Sequence, residues 1–344
     1  MPQYDAFLLV SFGGPEGPED VLPFLEHVLR GRPVPRERMI EVAEHYYHFG
    51  GVSPINAQNR ALLAALQDEF AAAGLKLPLY WGNRNWHPHL PDTLRQMRDD
   101  GVKRAIALFT SAFSSYSGCR QYRENIAAAQ AAVGPGAPEV DKLRAFFNHP
   151  GFIEPMIERT RQALAQLPPA QQASAQLVFT AHSIPLAMAR TCAYAAQFEE
   201  ASRLVAEGVG HASWQLAYQS RSGPPSQPWL EPDVSDVLGA IARQAAQQQQ
   251  RPPAVVLVPI GFVSDHMEVL YDLDVEARQK AQALGVPLVR ASTVGTHPRF
   301  VRMIRELVEE RMREDPRRPV VGRLPPCPDV CPPDCCVYDP RRPA

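Results

Sequence analysis

Three acidic side chains follow one another at four-residue spacing in the last third of the sequence. Glu268, Asp272 and Glu276 occupy positions i, i+4 and i+8, and no lysine or arginine lies between them. On a helix this spacing places the three carboxylates on one face. Like charges so close together destabilise a helix, so the pattern favours a path for protons or for a divalent cation. A solvated acidic helix face is the structural alternative.

A short apolar run precedes this acidic face. Residues 254–258, AVVLV, have the length and composition of a buried strand, and Ser264, Asp265 and His266 follow it. In open α/β sheets, ligands bind beyond the carboxyl ends of the strands. The position of the acidic face therefore indicates a functional site rather than a plain solvated surface.

A histidine follows another predicted strand. His182 lies in the segment TAHSIP, directly after the apolar residues Leu177–Phe179. Because the ordinary pKa of imidazole is about 6.5, a neutral His182 would accept a proton without strong tuning. His182 is the best candidate for a general base, and a structural histidine is the alternative.

Four side chains at strand ends are candidates for a ligand pocket. They are Phe12, Arg84, Ser220 and Trp229. Aromatic and basic groups together suit a flat aromatic ligand that carries carboxylates. A surface ion pair of Arg84 and ordinary packing of Trp229 are the alternatives.

Short apolar runs alternate with longer helical patterns along the chain, which predicts an α/β fold with mainly parallel sheets. The predicted strands are Ala6–Val10, Leu77–Trp81, Ala105–Phe109, Leu177–Phe179, Trp214–Tyr218, Val255–Val258 and Leu288–Val289. We expect two doubly wound domains, 1–148 and 149–315, followed by a cysteine-rich tail, 316–344. The helix near 296–313 is a candidate for packing back on the first domain.

Composition excludes several classes of protein. The 344 residues are 45% apolar and 21% charged, with a formal net charge of −2, which indicates a soluble globular protein and argues against a nucleic-acid binder. Neither a G-x-G-x-x-G motif nor a P-loop follows any predicted strand. The first residues lack a positively charged leader, and the apolar run 254–263 is too short to span a bilayer. We expect a cytoplasmic protein, monomer or homodimer, with at most peripheral membrane contact.

Seven motifs, in order along nearly the whole chain, resemble those of the ferrochelatases, which insert Fe(II) into a porphyrin at the end of haem synthesis. They are LLVSFGGPE (8–16), HFGGVSPIN (48–56), WGNRNWHP (81–88), SYSGCRQY (115–122), FTAHSIP (179–185), YQSRSGPPSQPW (218–229) and PIGFVSDHMEVLYDLDVE (259–276).

The resemblance implies two Rossmann-like domains around a porphyrin cleft. It implies that His182 and Glu268 form the catalytic pair that meets the iron substrate, on opposite sides of the macrocycle. Asp272 and Glu276 match the acidic line that leads away from the glutamate, as an exit for protons or an entrance for iron. Phe12, Arg84, Ser220 and Trp229 match pocket residues.

Four of the six cysteines lie within ten residues of the tail, at 327, 331, 335 and 336. This density suggests zinc or an iron–sulfur cluster. Some ferrochelatases hold a [2Fe-2S] cluster with three C-terminal cysteines and one internal cysteine, which Cys119 matches. The resemblance implies Cys119, Cys327, Cys331 and Cys336 as ligands, with Cys335 as the alternative.

The ferrochelatase reading leaves alternatives open. A chelatase for another metal would keep the same fold, and so would a non-catalytic porphyrin carrier or an iron–sulfur sensor. The presence of both His182 and Glu268 favours catalysis. The residues do not separate protoporphyrin IX from coproporphyrin III as the substrate.

Overall fold

Two parallel β-sheets of four strands each form the framework of the computed structural model, which describes residues 3–31 and 34–339. The first sheet contains β1 (Ala6–Ser11), β2 (Leu79–Asn83), β3 (Arg104–Phe109) and β4 (Glu139–Lys142), in the order β2-β1-β3-β4. The second contains β5 (Gln176–His182), β6 (Trp214–Gln219), β7 (Val255–Val258) and β8 (Leu288–Arg290), in the order β6-β5-β7-β8. Both sheets therefore share one topology, and the predicted α/β fold with two Rossmann-like halves is confirmed.

Helices connect the strands in each half. Those before the second sheet are α1 (Pro18–Val28), α2 (Arg36–Tyr47), α3 (Ile55–Ala72), α4 (Leu90–Asp99), α5 (Gln121–Val133), α6 (Pro150–Leu164) and α7 (Pro169–Gln172). The later ones are α8 (Leu186–Ala189), α9 (Tyr194–Val209), α10 (Val234–Gln247), α11 (Met267–Val269), α12 (Ala277–Ala283) and α13 (Pro298–Met312). Two segments have π-helical geometry, π1 (Tyr116–Arg120) and π2 (Leu270–Glu276).

The central strands form because their apolar runs can be buried on both faces of a sheet. Every residue of β1 and of β7 is buried, as expected for parallel strands covered by helices on either side. The edge strand β4 has the sequence EVDK and no fully buried residue. It was absent from the predicted strands because it lacks an apolar run.

One hydrophobic cluster joins the two halves. It contains Phe7 of β1, Leu62 of α3, Phe179 of β5 and Phe300 of α13, all at most 4% exposed. Helix α13 packs against α3 and α6, and Arg305 Nε lies 2.7 Å from Glu69 Oε1 of α3. The last helix thus contacts the first half of the chain, while the domain limits at 148 and 315 stay predictions.

The strand order reverses direction in each sheet at its first strand. In the second sheet this strand is β5, which lies between β6 and β7. Connections from neighbouring strands leave to opposite sides at such a point and open a crevice at the carboxyl ends of the strands. The last residue of β5 is His182.

Candidate active site

His182 and Glu268 lie next to each other at the carboxyl edge of the second sheet. His182 Nε2 is 3.5 Å from Glu268 Oε1, and the two side chains are 31% and 48% exposed. The Nδ1 atom of His182 is hydrogen-bonded to the carbonyl oxygen of Ser183, and the Tyr194 hydroxyl donates to the His182 carbonyl at 2.9 Å. His266 Nδ1 lies 3.9 Å from the other carboxylate oxygen of Glu268. The structure therefore brings together two residues that are far apart in sequence.

The contact decides the protonation of both groups. Burial alone would lower the pKa of His182, but the charge of Glu268 and the hydrogen bond to it raise this pKa to about 9. Burial alone would raise the pKa of Glu268, but the charge of His182 and the shared hydrogen bond lower it to about 2. At neutral pH the pair is an imidazolium and a carboxylate. The expectation that His182 is neutral without tuning is not met, because the carboxylate beside it stabilises the charged form.

The two groups of the pair are in direct contact in this structure, with 3.5 Å between Nε2 and Oε1. Their placement on opposite sides of a macrocycle stays a prediction. Attraction between the opposite charges accounts for this close contact. The exposed sides of both groups still face outward from the edge of the sheet.

Asp272 lies one turn beyond Glu268, in π2. The Ser220 hydroxyl donates to its Oδ2 atom, and Gln219 Nε2 lies 3.4 Å from the same oxygen. Burial and the charges of Glu268 and Glu276 outweigh the hydrogen bond from Ser220 and raise the pKa of Asp272 to about 7. Asp272 is therefore present in both protonation states near neutral pH.

Glu276 ends π2 and is exposed. Burial and the charge of Asp233 raise its pKa from the ordinary value. The predicted acidic face thus exists, but only Glu268 lies on an α-helix, α11, while Asp272 and Glu276 lie on a π-helix with i→i+5 hydrogen bonds. Single π-turns are common at functional sites.

Phe12 and Arg84 lie in one aromatic cluster of the first half. Arg84 Cζ is 5.7 Å from the Phe12 ring centre and 4.5 Å from that of Tyr122. The Phe12 ring contacts Phe24 at 6.3 Å, and Phe24 contacts Tyr46 at 5.8 Å. Tyr46 in turn lies near the acidic face, since burial and the charges of Glu268 and Asp272 raise its pKa.

Trp229 packs beside the segment that follows His182. It forms an isolated antiparallel bridge with Pro185, and the neighbouring Leu230 N–H donates to the Ile184 carbonyl at 3.0 Å. Trp229 is only 9% exposed, and its Nε1 donates to Gln227 Oε1 at 3.3 Å. Its indole is thus mostly buried, and its role in the pocket stays a prediction.

The tail cysteines lie around Cys119, and all six cysteines are free thiols. Cys119 and Cys331 share a hydrogen bond, which lowers the pKa of Cys331 to about 5 and raises that of Cys119. Cys335 Sγ is 3.4 Å from Cys336 Sγ, and Gln197 Nε2 lies 3.3 Å from Cys327 Sγ. Across residues 3–31 and 34–339, no three His, Cys, Asp or Glu side chains are placed to hold a metal ion.

Comparison with known proteins decides the family. The ferrochelatase family model matches residues 4–312. The chain belongs to the ferrochelatase family. It is 60% identical over 343 residues to a ferrochelatase of Rhodopirellula baltica, which covers 100% of this chain and 96% of that protein.

Further ferrochelatase relatives carry a more specific name. Coproporphyrin III ferrochelatases of Streptomyces coelicolor and Mycolicibacterium smegmatis are 53% and 50% identical, covering 99% and 93% of this chain and 95% and 93% of those proteins. The solved structure of SirB from Bacillus subtilis with Fe³⁺ aligns with a TM-score of 0.55 at 12% identity, over 90% of this chain and 98% of that one. That likeness shows the chelatase fold alone. As a ferrochelatase, the protein inserts iron into a porphyrin in haem biosynthesis.

Sequence reasoning missed two groups near the ferrochelatase site. Tyr271 of π2 stacks on His45 of α2 with ring centres 3.6 Å apart, which ties π2 to the first half. Gln219 contacts both Glu268 and Asp272. Gln219 lies in the motif YQSRSGPPSQPW, but only the pairing of β5 with β6 shows that it lies beside His182.

A cavity of about 840 Å³ lies elsewhere, at the opposite edge of the second sheet. It is lined mainly by glutamines, by Arg251 and by prolines, and it includes none of the predicted site residues. In the described part of the chain, no helix combines the length and the apolar character needed to cross a membrane.

Proposed function

We propose that this ferrochelatase inserts Fe(II) into coproporphyrin III at the His182–Glu268 pair. The observation that carries the proposal is the 3.5 Å contact between these side chains, beside the acidic face of π2. The choice of coproporphyrin III follows the names of the Streptomyces coelicolor and Mycolicibacterium smegmatis relatives.

Insertion of a dication into a neutral porphyrin releases two pyrrole protons, so the site needs proton acceptors. An approaching Fe(II) ion repels the charge of the His182 imidazolium and lowers its pKa, so the imidazolium would pass its proton to the Glu268 carboxylate 3.5 Å away, and the neutral imidazole would then accept one pyrrole proton. Once Glu268 has passed its proton on to Asp272, it would accept the second pyrrole proton. Asp272, with its pKa raised to about 7, both takes up and releases protons at neutral pH. Glu276 is the last of the three acids and is exposed to solvent, so we propose that protons leave the site along π2.

In this proposal, the porphyrin ring approaches the exposed sides of His182 and Glu268. His182 and Glu268 present 31% and 48% of their side chains there. Phe12 and Arg84 would contact the ring from the first half, and Ser220 and Trp229 would line the second half. The Arg84 guanidinium suits a carboxylate of the substrate.

Anaerobic mixing of the purified protein with Fe(II) and either coproporphyrin III or protoporphyrin IX tests the proposal. We expect catalytic formation of the iron porphyrin, faster with coproporphyrin III. Higher turnover with protoporphyrin IX would contradict the choice of substrate. Stoichiometric porphyrin binding without turnover would instead indicate a carrier, and turnover with Co(II) alone would indicate another chelatase.

We also propose a [2Fe-2S] cluster held by Cys119, Cys327, Cys331 and Cys336. Such a cluster takes four thiolates, and Cys119 and Cys331 lie close enough for each thiol to shift the pKa of the other. Lys142 lies near Cys119, Cys327 and Cys331 and would offset the negative charge of the thiolates. Metal insertion transfers no electron, so we assign the cluster a structural or sensing role.

A further inference from the structure

Gln219 is a buried polar residue at the end of β6, directly beside His182. Its Cα is the register partner of the His182 Cα in the parallel β5–β6 pair, and its carbonyl accepts from the Ser183 N–H at 2.8 Å. Gln219 is 2% exposed. Its backbone is therefore fixed to the strand that carries the imidazole.

The side chain of Gln219 reaches across to the acidic helix. Its Nε2 atom donates to the Glu268 backbone carbonyl at 2.8 Å and lies 3.4 Å from Asp272 Oδ2. One amide group thus contacts both the start of the helical segment and a carboxylate within π2. Gln219 connects the strand that holds His182 to the segment that holds the two acids.

The side-chain oxygen of Gln219 makes no hydrogen bond. Gln219 Oε1 is buried and has no hydrogen-bond partner within the described residues. A buried acceptor without a partner destabilises a fold, so an apolar side chain of equal size would serve packing better. The amide at this position is explained by its two donor contacts rather than by core packing.

We propose that Gln219 is a positioning residue that holds Glu268 and Asp272 at a fixed separation from His182. The inference rests on the proposed function, because it assumes that these three groups handle the iron and the protons. Hydrogen bonds from a rigid strand fix the orientation of the helix start, and small misplacements of catalytic groups reduce rates strongly.

Substitution Gln219→Met tests the proposal, since methionine has nearly the same shape and no hydrogen-bonding amide. With Fe(II) and coproporphyrin III, we expect kcat to fall about tenfold or more while the KM for the porphyrin changes less than about twofold. Because the orphaned acceptor is also removed, Tm is not expected to fall. Porphyrin binding, followed by the shift of the Soret band, is expected to be unchanged.

The matched control is Gln215→Met on the same strand. Gln215 Nε2 donates to Gln176 Oε1 at 3.1 Å near the other end of β6, away from the acids. We expect its kcat and KM to equal those of the parent protein. Gln219→Leu is the second variant, because it also lacks the amide donors and adds no charge beside Asp272, and it is expected to lower kcat in the same way.

Three results would overturn the inference. The first is a kcat of both Gln219 variants within about twofold of that of the Gln215→Met control. The second is a loss of kcat together with an equal loss of porphyrin binding, as measured by the Soret band. The third is a loss of kcat that accompanies a lowered Tm. Failure of the proposed function would appear differently, as absence of turnover in the parent protein itself.

Discussion

At His182 the neighbouring carboxylate, rather than the ordinary chemistry of imidazole, sets the protonation state. The residue type alone predicts a group that titrates near neutral pH, but the 3.5 Å contact with Glu268 raises the pKa of His182 to about 9. The group that titrates near neutral pH is instead Asp272, because burial is the largest effect on its pKa and raises it to about 7. The protonation states of His182 and Asp272 therefore depend on their contacts in the fold and cannot be predicted from the residue types alone.

The His182→Ala variant removes the imidazole from the pair. We expect metal insertion to fall by about 10²- to 10⁴-fold, the usual contribution of a positioned acid–base group, while porphyrin binding survives. Anaerobic turnover and Soret-band titration measure the two quantities separately. Unchanged turnover would remove His182 from the mechanism.

Asp272 makes stability depend on pH. Its pKa rises from an ordinary value of about 3.9 to about 7, so between these pH values the folded protein binds more protons than the unfolded chain. The free energy of unfolding contributed by this group is therefore highest below about pH 4 and decreases as pH rises towards 7. The Tm of Asp272→Asn relative to the parent is expected to increase over that range. Asp99→Asn, at a carboxylate 61% exposed, is the control, and an equal trend in both would contradict the assignment.

At the scale of elements, apolar runs predicted the central strands well, and side-chain spacing predicted the acidic face. Val255–Val258 was predicted with its observed limits, because a short run rich in β-branched valine and bounded by prolines is typical of a buried strand. The π geometry of Leu270–Glu276 was not predicted, since four-residue spacing does not distinguish i→i+4 from i→i+5 hydrogen bonds. The contact of Gln219 with the acids was also missed, because it depends on which strands become neighbours.

Helix α13 is held by a buried ion pair. Arg144 Nε lies 2.7 Å from Glu310 Oε1, and the two side chains are 0% and 4% exposed. Glu310→Ala would leave the arginine charge buried without its partner, so we expect the free energy of unfolding to fall by about 3–5 kcal/mol. Urea denaturation measures this loss. Arg95→Ala, which breaks the exposed pair with Asp92, is expected to cost less than about 1 kcal/mol, and equal losses would contradict the argument.

At the scale of the whole molecule, two sheets of the same topology share one hydrophobic cluster, and the tail returns to π1 of the first half. Arg120 donates to the Pro333 carbonyl at 2.7 Å and to the Cys335 carbonyl at 3.0 Å, which holds the cysteine segment near Cys119. The tail motif predicted a thiol-rich centre. The position of Cys119 beside the tail cysteines was predicted only from the family resemblance, because Cys119 and Cys327 are 208 positions apart in the sequence.

The Cys331→Ser variant tests the proposed cluster. Loss of one thiolate is expected to abolish the visible absorption of a [2Fe-2S] cluster and to lower Tm. Cys192→Ser, at a cysteine outside the proposed ligand set, is the control and is expected to retain the absorption. A coloured and fully stable Cys331→Ser protein would show that Cys331 is not a ligand.

The central claim is that iron enters the porphyrin at the His182–Glu268 pair, and Glu268→Gln tests it most directly because glutamine keeps the size of the side chain and removes its charge. Anaerobic turnover of Fe(II) and coproporphyrin III is the measurement, with porphyrin binding followed in the same samples. We expect the variant to bind porphyrin like the parent and to lose insertion by about 10²-fold or more. Turnover equal to that of the parent would contradict the account.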